Sequence, residues 1–479
     1  MKSITLTVIF EGHALNRDEK IAGNILSIKK LTYLNKELSY ISRPAMRHYL
    51  FNTLLKAYPD SWKEAGVVLQ GSGDKRVVQL DIIKDDIFTS AELDAFGYMY
   101  TISGGSSITR KAPVGITKAV SLIPYNNDMQ FNANHDLVKR ALVQGINATP
   151  GPNQREENMS FFKVSFTIDA KFLGQDVWIV EGYTHNENFL IVELVKTNDI
   201  VFTNVQRAEY EEEGISKFTI DGEEIIIEGR TVKISENLVE KSGDGSINIK
   251  GTEKKKKKNK KEDKSEKSTS KLNPEYYEYD ENEKVYIINL SDDYNYDENS
   301  KKLHLKVGLM KYFKDVKEEE EHKFTIYSST TEKKKLGCIS FSPVGEKYRM
   351  VMTLDEQIKR ERIRQILEAI KNGLVAHSSG EDNTIIPLFL IAAPVKVPSP
   401  IFHPYIHLEI DEDKPKVIGL SDCFRNSWLE DKVYVYVSER FKAYLEPYKD
   451  RVYANWEDFL IGCGLLKKEG EEENASASS

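Results

Sequence analysis

Two arginines four residues apart, Arg43 and Arg47, are the side chains whose type and spacing most clearly suggest chemistry. They follow Ser42, a residue type that caps helix N-termini, and Pro44 is tolerated in a first helical turn. Free backbone N–H groups, the helix dipole, the Ser42 hydroxyl and two guanidinium groups would then converge on one anion, such as a phosphate. A capped surface helix with solvated arginines is the alternative that this motif leaves open.

The arginine pair lies in a basic stretch between His13 and Lys56. Eight basic side chains face three acidic ones there, although the whole chain carries a net charge of −8. A phosphate backbone responds to charges within a Debye length of about 8–10 Å, so the local excess matters more than the total. Ordinary scatter of surface charge would also produce such a stretch. The basic residues are Arg17, Lys20, Lys29, Lys30, Lys36, Arg43, Arg47 and Lys56, and the acidic ones are Asp18, Glu19 and Glu37.

Catalytic motifs are absent from the sequence. It contains no GxxxxGK[ST] phosphate-binding loop, no GxGxxG after a strand, no HExxH, no CxxC and no GxSxG. Asp85 and Asp86 are adjacent at a predicted strand end, where solvated turn residues are the usual explanation. We therefore expect a binding protein with no catalytic residue and no cofactor.

The histidines do not form a metal motif. His403 and His407 are four residues apart, a spacing that suits a metal only on a helix. Pro404 and the β-like HLEI that follows argue against a helix, so core or surface histidines are the preferred interpretation.

Cysteine usage and apolar runs indicate the compartment. The opening MKSITLTVIFEGHALNRDEK is too briefly apolar for a signal sequence, and no run approaches the ~18 apolar residues of a membrane span. We expect a cytoplasmic protein without membrane contact. Neither a disulfide framework nor a zinc knuckle is expected from three scattered cysteines, Cys338, Cys423 and Cys463.

Apolar patterns predict the elements that would position the basic side chains. Ser3–Phe10 alternates and is rich in β-branched residues, as in a buried strand. Val77–Ile83 predicts another strand, and Gly104 and Gly105 separate two strand-like runs, as in a hairpin. Residues 161–235 alternate repeatedly and predict a β-rich unit. A helix is predicted from Ser42 because apolar residues recur at helical spacing, at Ala45, Tyr49, Leu50, Leu54 and Leu55.

The later part of the chain predicts a second strand, helix and strand. YRMVMTLD reads as a strand, Glu356–Ile370 as an amphipathic helix and PLFLIAAPV as a central strand. Together with the first strand and helix, these elements would complete one split βαββαβ sheet. The fold class expected is α+β, with the middle of the chain as insertions.

Residues 240–283 interrupt these patterns. Lys254–Lys258, with Lys260 and Lys261, forms a lysine block followed by Glu, Lys and Ser. Such a composition cannot bury enough apolar surface to offset the entropy of ordering, so we expect a disordered linker. Binding of nucleic acid by the lysines is the alternative, although neighbouring acids dilute their charge.

The same residues carry a resemblance to a known family. SITLTVIFEGHALNRDEK, SYISRPAMRHYLFNTL, ELDAFGYM and TRKAPVGITKAVSLIPYNNDMQF resemble the backbone subunit of type I CRISPR surveillance complexes (Cascade). The type I-B, DevR-like branch is the most similar. YRMVMTLD, RIRQILEAIKNGL and PLFLIAAPV resemble that family's second strand–helix–strand. The resemblance covers roughly residues 1–135 and 336–400.

The resemblance implies an RNA-recognition-motif-like, ferredoxin-like βαββαβ palm with large β-rich insertions, the fingers and thumb. Residues 1–58 and 336–470 would form the palm, 59–150 a fingers-like insertion and 151–240 a β-rich insertion that is the candidate thumb. Residues 241–283 would be the lysine-rich disordered linker, 284–335 a variable acidic insertion and 471–479 a disordered tail. The length of residues 150–335 departs from the family and leaves the position of the thumb open.

The function implied is that of a non-catalytic subunit. Its copies would polymerise along one CRISPR guide RNA (crRNA) and present it for pairing with target DNA, beside other subunits of an antiviral surveillance complex. The loop after the first strand and the helix start would hold guide phosphates, while the TRKAP segment would face nucleic acid or the next copy. The RNA-binding residues predicted in this way are His13, Asn16, Arg17, Lys20, Lys29, Lys30, Ser42, Arg43, Arg47, Arg110 and Lys111.

Two other functions remain open at this point. One is a guide-directed ribonuclease of the related type III backbone kind, in which an acidic residue in the loop after the first strand cuts target RNA. Asp18 and Glu19 lie in that loop. The other is a β-rich scaffold unrelated to nucleic acid.

Overall fold

The computed structural model describes most of the chain, as two compact units that are each assembled from separate segments. Unit 1 comprises Met1–Glu64, Ala112–Gly174 and Glu356–Ser479, and unit 2 comprises Ala65–Lys111 and Gln175–Asp355. The described residues are 1–13, 25–70, 77–102, 106–126, 128–186, 188–208, 215–229, 231–253, 270–291, 294–378, 381–410 and 414–467.

Unit 1 is organised around an eight-stranded sheet. Its first strand is buried on both faces because SITLTVIF places apolar, Ser or Thr side chains at odd and even positions alike. The strands are β1 (Ser3–His13), β2 (Lys30–Tyr33), β3 (Lys36–Ile41), β4 (Val114–Ile116), β5 (Ala119–Ser121), β6 (Met159–Ile168), β7 (Pro387–Val395) and β8 (Tyr434–Val437).

The strand order is β2–β3–β5–β6–β1–β7–β8, and β4 also pairs with β6. All of these pairings are antiparallel. Val8 in β1 lies between Val164 of β6 and Leu390 of β7. Two helices lie between β1 and β7 in the chain. They are α1 (Arg43–Ala57), which follows β3, and α2 (Glu356–Asn372), which directly precedes the segment that leads to β7. The succession β1–α1–β4–β6–α2–β7 therefore connects four neighbouring strands of the sheet.

Helices α1 and α2 pack against each other and against β4 and β7. The predicted apolar spacing is confirmed in both helices: Tyr49, Leu50 and Leu54 are buried in α1, and Ile363 and Ile366 are buried in α2. The predicted N-cap is confirmed as well, because the Ser42 side chain accepts a hydrogen bond from the N–H of Ala45.

The segment that follows β7 covers one face of the unit 1 sheet. A hydrophobic cluster joins Ile9 of β1 and Phe389 of β7 to Phe402 and Phe424. Leu390, whose side chain points to the other face of the sheet, is also buried. The central strands therefore present neither face to solvent.

Smaller elements complete unit 1. The remaining helices are His135–Val143, Leu420–Arg425, Trp456–Gly462 and the 3₁₀ turn Glu446–Arg451. The remaining strands are Ile25–Leu26, Asp128–Asn132 and Asn153–Glu157 in one sheet, Leu374–Ser378 and Glu381–Ile385 in a hairpin, and His407–Glu409, Lys416–Ile418 and Lys442–Ala443 in a third group.

Unit 2 consists mainly of antiparallel sheets, with the helix Ala91–Phe96 and the 3₁₀ turns Glu236–Leu238 and Pro274–Tyr276. A five-stranded sheet contains Gln175–Val180, Lys347–Leu354, Lys335–Val344, Lys323–Tyr327 and Val316–Glu320. A four-stranded sheet contains Gly182–Asn186, Phe189–Phe202, Lys302–Lys314 and Asn295–Asp297. A six-stranded sheet contains Gln206–Arg207, Ile215–Ile220, Glu223–Glu228, Thr231–Ser235, Val285–Asn289 and Tyr277–Asp280. The smaller groups are Val239–Lys241 with Ile247–Ile249 and Ser270–Leu272, and the hairpins Val67–Gln70 with Val77–Leu80 and Tyr98–Ile102 with Ser106–Arg110.

Two strands exchange the places that the sequence predicted for them. The predicted strand in YRMVMTLD forms, as Lys347–Leu354, but it pairs with Gln175–Val180 in unit 2 and not with the palm strands. The strand beside β1 is instead β6, which falls within the β-rich insertion predicted from residue 151. Pattern alone could not separate them, because both are apolar strands and only pairing register distinguishes their partners.

The segment predicted as a linker is partly folded. Ile247–Ile249 pairs with Ser270–Leu272, and Ile247, Ile249 and Leu272 are buried in a hydrophobic cluster of unit 2. The segment 284–335, predicted to be a variable acidic insertion, likewise contains strands, including Lys302–Lys314. The lysine block and the tail 471–479 lie outside the described residues. No helix in the described part of the chain is long and apolar enough to span a membrane.

Candidate nucleic-acid interface

The start of α1 joins the β2–β3 edge of the unit 1 sheet to its helical layer. Arg43 is exposed and Arg47 is half-buried, one turn further along the helix. The helix start offers fewer free backbone donors than predicted. Pro44 has no N–H, and the N–H of Ala45 donates a 3.4 Å hydrogen bond to the Ser42 hydroxyl. The guanidinium groups would therefore provide most of the contact with an anion.

Two lysines next to this helix start lie over tyrosine rings. The Lys118 ammonium is 4.7 Å from the ring centroid of Tyr40, at the end of β3. The Lys30 ammonium is 4.5 Å from the ring centroid of Tyr125. Both distances are within the range of cation–π attraction, which holds the lysines against the rings. We call Lys29, Lys30, Tyr40, Ser42, Arg43, Arg47, Lys118 and Tyr125 the unit 1 basic surface.

A carboxylate neutralises part of this surface. Glu156 lies 3.0 Å from the Lys30 ammonium and accepts hydrogen bonds from Ser27 Oγ and from the N–H of Ile28. Burial would raise the pKa of Glu156, but these hydrogen bonds and Lys30 together lower it. Lys30 is thus positioned by an ion pair, and its charge contributes less to the field than that of Lys118.

His13 lies away from the basic surface, although it was predicted to bind RNA with it. His13 pairs with Met159, whereas Tyr40 pairs with Val120 three strands away in the sheet. The separation is roughly 20 Å, from ~4.8 Å between strands and ~3.3 Å per residue over four residues. The N–H of His13 donates a hydrogen bond to Asn383 Oδ1, and Asn383 Nδ2 donates one to the carbonyl of His13. The other predicted residues of this loop, Asn16, Arg17 and Lys20, lie outside the described residues.

Arg110 was predicted to face nucleic acid, and the structure contradicts this. Its side chain is fully buried in unit 2, where Nη2 lies 2.7 Å from Asp94 Oδ1 and Nε lies 3.8 Å from Asp176 Oδ2. Burial raises the pKa of Asp176, and Arg110 acts in the opposite direction. Tyr98 donates a 2.6 Å hydrogen bond to Asp176. The arginine is therefore part of a buried polar network, while its neighbour Lys111 is exposed.

Three members of the basic surface were not predicted. Tyr40, Lys118 and Tyr125 are scattered in the sequence and are brought together only by the pairing of β3 with β5 and by the bond from Tyr125 N–H to Glu37 O. The one signal available in the sequence is that Lys118 ends a stretch, residues 101–118, without an acidic residue.

His403 and His407 do not share a site. His403 is half-buried, with Nδ1 2.8 Å from Ser165 Oγ, and burial together with the charge of Lys163 lowers its pKa to about 4. His407 is exposed on a short strand. These positions agree with the preferred interpretation as one core and one surface histidine. Among the described residues, no group of three His, Cys, Asp or Glu side chains could hold a metal ion.

The geometry of the basic surface suits a phosphodiester chain. Cations fix phosphates without regard to sequence, and the faces of tyrosine rings can stack on bases. The half-buried rings of Tyr40 and Tyr125 and the exposed Arg43 place both kinds of group on the β2–β3 edge and the adjacent helix start.

The sequence matches one protein family, described as "CRISPR-associated negative auto-regulator DevR/Csa2", over residues 4–414. It is also similar to the "CRISPR-associated protein Cas7/Cst2/DevR" of Myxococcus xanthus (strain DK1622), with 26% identity over 173 residues. That alignment covers 33% of this chain and 55% of the relative, so the chain spans about half the length of the curated relative it matches. A chain of a "CRISPR RNA-guided surveillance complex, pre-nicking" aligns with 36% of this chain and 65% of its own length, at 11% identity and a TM-score of 0.23, a likeness too low to indicate a shared fold.

Proposed function

The chain belongs to the DevR/Csa2 family of CRISPR-associated proteins, and on that premise we propose that it is a guide-RNA-binding backbone subunit of a Cascade-like surveillance complex. Copies of the chain lie along one guide, hold its phosphates and present its bases to target DNA. Guide–target pairing supplies the sequence specificity, and the protein contacts backbone and shape. The assembly includes other subunits, works in the cytoplasm and serves antiviral defence.

The observation that carries this proposal is the unit 1 basic surface. Arg43 is exposed, and among the described residues it makes no ion pair or hydrogen bond through its guanidinium group. Lys118 is also exposed, and its ammonium contacts the Tyr40 ring without an acidic partner in the described part of the chain. Cations left unneutralised in this way attract a polyanion, and the neighbouring tyrosines add stacking capacity.

The strand order supports an RNA-recognition-motif-like palm within this proposal. The succession β1–α1–β4–β6–α2–β7, with β7, β1, β6 and β4 as neighbours, is the order expected of a βαββαβ sheet. RNA-recognition motifs stack bases on an open sheet face, but the central strands here are covered on both faces. The guide is therefore expected at the β2–β3 edge and the helix start, where phosphates dominate contact.

We propose further that the subunit is not a nuclease. Asp18 and Glu19, the acids of the alternative ribonuclease hypothesis, are flanked by Arg17 and Lys20, which would pair with them rather than leave them free for a metal. All four residues lie outside the described part of the chain.

The proposal is tested by the nucleic acid that accompanies the purified protein. The full chain, produced in cells that transcribe a CRISPR array, should copurify with RNA of discrete length that sequencing assigns to the array. Protein carrying R43A, R47A and K118A should retain less of that RNA at equal yield. Recovery of no RNA, or of random cellular fragments only, would contradict the assignment.

A further inference from the structure

Glu156 is a carboxylate beside the surface that we propose to bind phosphates, where a negative charge is unfavourable for a polyanion. Its side chain is 12% exposed and makes an ion pair with Lys30, a member of the unit 1 basic surface. A residue whose charge opposes the proposed ligand must contribute to the surface in another way. The contacts of Glu156 identify that contribution.

Glu156 fixes the backbone that leads into β2. The strand that carries it, Asn153–Glu157, runs parallel to the strand Ile25–Leu26. Just beyond this pairing, Glu156 Oε2 accepts a 2.8 Å hydrogen bond from Ser27 Oγ and a 2.9 Å hydrogen bond from the N–H of Ile28. The carboxylate therefore joins two segments that are far apart in the sequence, directly before the first lysine of β2.

That lysine, Lys30, is held by two neighbours. Its ammonium lies 3.0 Å from Glu156 Oε1 and 3.2 Å from Glu156 Oε2, and 4.5 Å from the ring centroid of Tyr125. A free lysine side chain has many rotamers, and ordering it on binding costs entropy. A lysine that the protein already holds loses less entropy when it meets a phosphate, so the contact is preorganised.

Charge and positioning lead to opposite expectations for Glu156. Burial would raise its pKa, but the hydrogen bonds from Ser27 and Ile28 and the contact with Lys30 lower it, so the carboxylate is ionised and forms a neutral pair with the lysine. If charge alone mattered, removing the carboxylate would free one positive charge and tighten RNA binding. If positioning matters more, the same change weakens RNA binding.

We propose that Glu156 is a positioning residue for RNA binding. It holds Lys30, and the backbone at Ser27 and Ile28, in the arrangement that meets the phosphates of RNA. The inference rests on the proposed function, because it concerns the same unit 1 basic surface. Its distinguishing consequence is that removal of a negative charge from an RNA-binding surface weakens the binding of RNA.

The test is the affinity of the full chain for fluorescein-labelled polyuridine RNA, measured by fluorescence anisotropy at constant salt. In E156Q, the glutamine oxygen can still accept a hydrogen bond from the N–H of Ile28, so the variant loses chiefly the ion pair with Lys30. E156Q should bind about fivefold more weakly, the effect of one lysine side chain that must now be ordered on binding. Affinity within about twofold of the wild type, or tighter, would overturn the assignment, because a surface charge acting alone has an effect of that size.

The double variant K30A/E156Q separates positioning of Lys30 from a general effect on folding. Without Lys30, Glu156 has no lysine to hold and can only repel RNA. E156Q introduced into K30A should therefore leave the affinity unchanged or tighten it by up to about twofold. Any further weakening in the K30A background would show that the substitution acts through the fold and not through Lys30, which would also overturn the assignment.

E37Q is the matched control, because it makes the same exchange at an exposed carboxylate of β3. Among the described residues, the Glu37 side chain makes no ion pair or hydrogen bond. E37Q should bind RNA within about twofold of the wild type, and tighter if it differs. Weakening by E37Q equal to that by E156Q would count against a positioning role. Circular dichroism establishes that each variant is folded, and E156D, which keeps the charge but shortens its reach to Lys30, carries the same expectation if E156Q does not fold.

Failure of this inference is distinguishable from failure of the proposed function. R43A/R47A should weaken RNA binding whatever residue stands at position 156. If the wild type does not bind the RNA, or R43A/R47A binds it as tightly as the wild type, the proposed function fails. If R43A/R47A weakens binding and E156Q does not, the unit 1 basic surface stands and the positioning role of Glu156 fails.

Discussion

Arg43 and Arg110 show how differently arginines from two basic stretches of one chain can act. Arg43 is exposed at a helix start, next to lysines held against tyrosine rings. Arg110 is enclosed by two carboxylates in unit 2. The sequence places both among basic residues with similar neighbours, and burial alone separates a candidate phosphate contact from a structural ion pair.

Replacing Arg43 and Arg47 by alanine should weaken RNA binding about equally for all sequences, because phosphate contacts carry no base information. For single-stranded RNA, the slope of log affinity against log salt should become shallower by about 1.4 for two lost contacts. Fluorescence anisotropy at several salt concentrations measures this slope. K56A/K63A removes the same charge around the other end of α1 and serves as the matched control. An identical slope in both double variants would refute the assignment of the helix start.

Replacing Arg110 by methionine should destabilise unit 2 strongly. The substitution leaves Asp94 and Asp176 buried without the guanidinium group, and breaking a buried pair in this way costs about 3–5 kcal/mol. The midpoint of urea unfolding, followed by tryptophan fluorescence, should fall accordingly. K111A changes the exposed neighbouring residue and should shift the midpoint by less than ~0.5 kcal/mol equivalent. Equal stability of R110M and K111A would show that the buried network contributes little.

At the scale of elements, local pattern was sufficient where an element's own spacing determines it. Both long helices and the first strand form where apolar spacing predicts them, and PLFLIAAPV forms the strand that its continuous apolar run predicts. The strand with which each of these strands pairs could not be predicted, because β6 and Lys347–Leu354 have similar composition and differ only in their pairing partners. The site was limited in the same way: Ser42 and Arg43 were visible as a helix start, while the pairing of Lys118 with Tyr40 depends on sheet register.

The strands on either side of the lysine block pair with each other, which indicates that the block can be deleted without disrupting the fold. Ile249 pairs with Ser270, so the chain enters and leaves this segment from neighbouring strands. Replacing residues 254–269 by a four-residue Gly-Ser linker should retain folding, because shortening a loop of this length changes closure entropy by only ~1 kcal/mol. Size-exclusion chromatography and circular dichroism measure the outcome. Insoluble protein would contradict the expectation of a linker, and soluble protein with weaker RNA binding would instead make the lysines a contact.

At the scale of the whole molecule, the unit 1 basic surface would bind the phosphates of a guide RNA. A subunit of this kind has no need to break a phosphodiester bond. Cleavage requires an activated nucleophile and charge stabilisation, commonly from metals held by clustered carboxylates or histidines. Asp18 and Glu19 are the acids that the alternative ribonuclease hypothesis assigns to that role, so a test of catalysis begins with them.

Purified protein loaded with guide RNA and supplied with Mg²⁺ or Mn²⁺ should therefore leave complementary RNA and DNA intact over hours, as followed on denaturing gels with end-labelled targets. D18A should behave like the wild type, since Arg17 and Lys20 compensate the charge of the acids and disfavour a divalent cation between them. Guide binding measured on the same samples ensures that intact target does not reflect an empty protein. Fragments at regular spacing from the wild type, lost in D18A with guide binding retained, would show a guide-directed ribonuclease. Fragments that persist in the double variant D18A/E19A would point to a contaminating nuclease, because cleavage would then not depend on the acids of this loop.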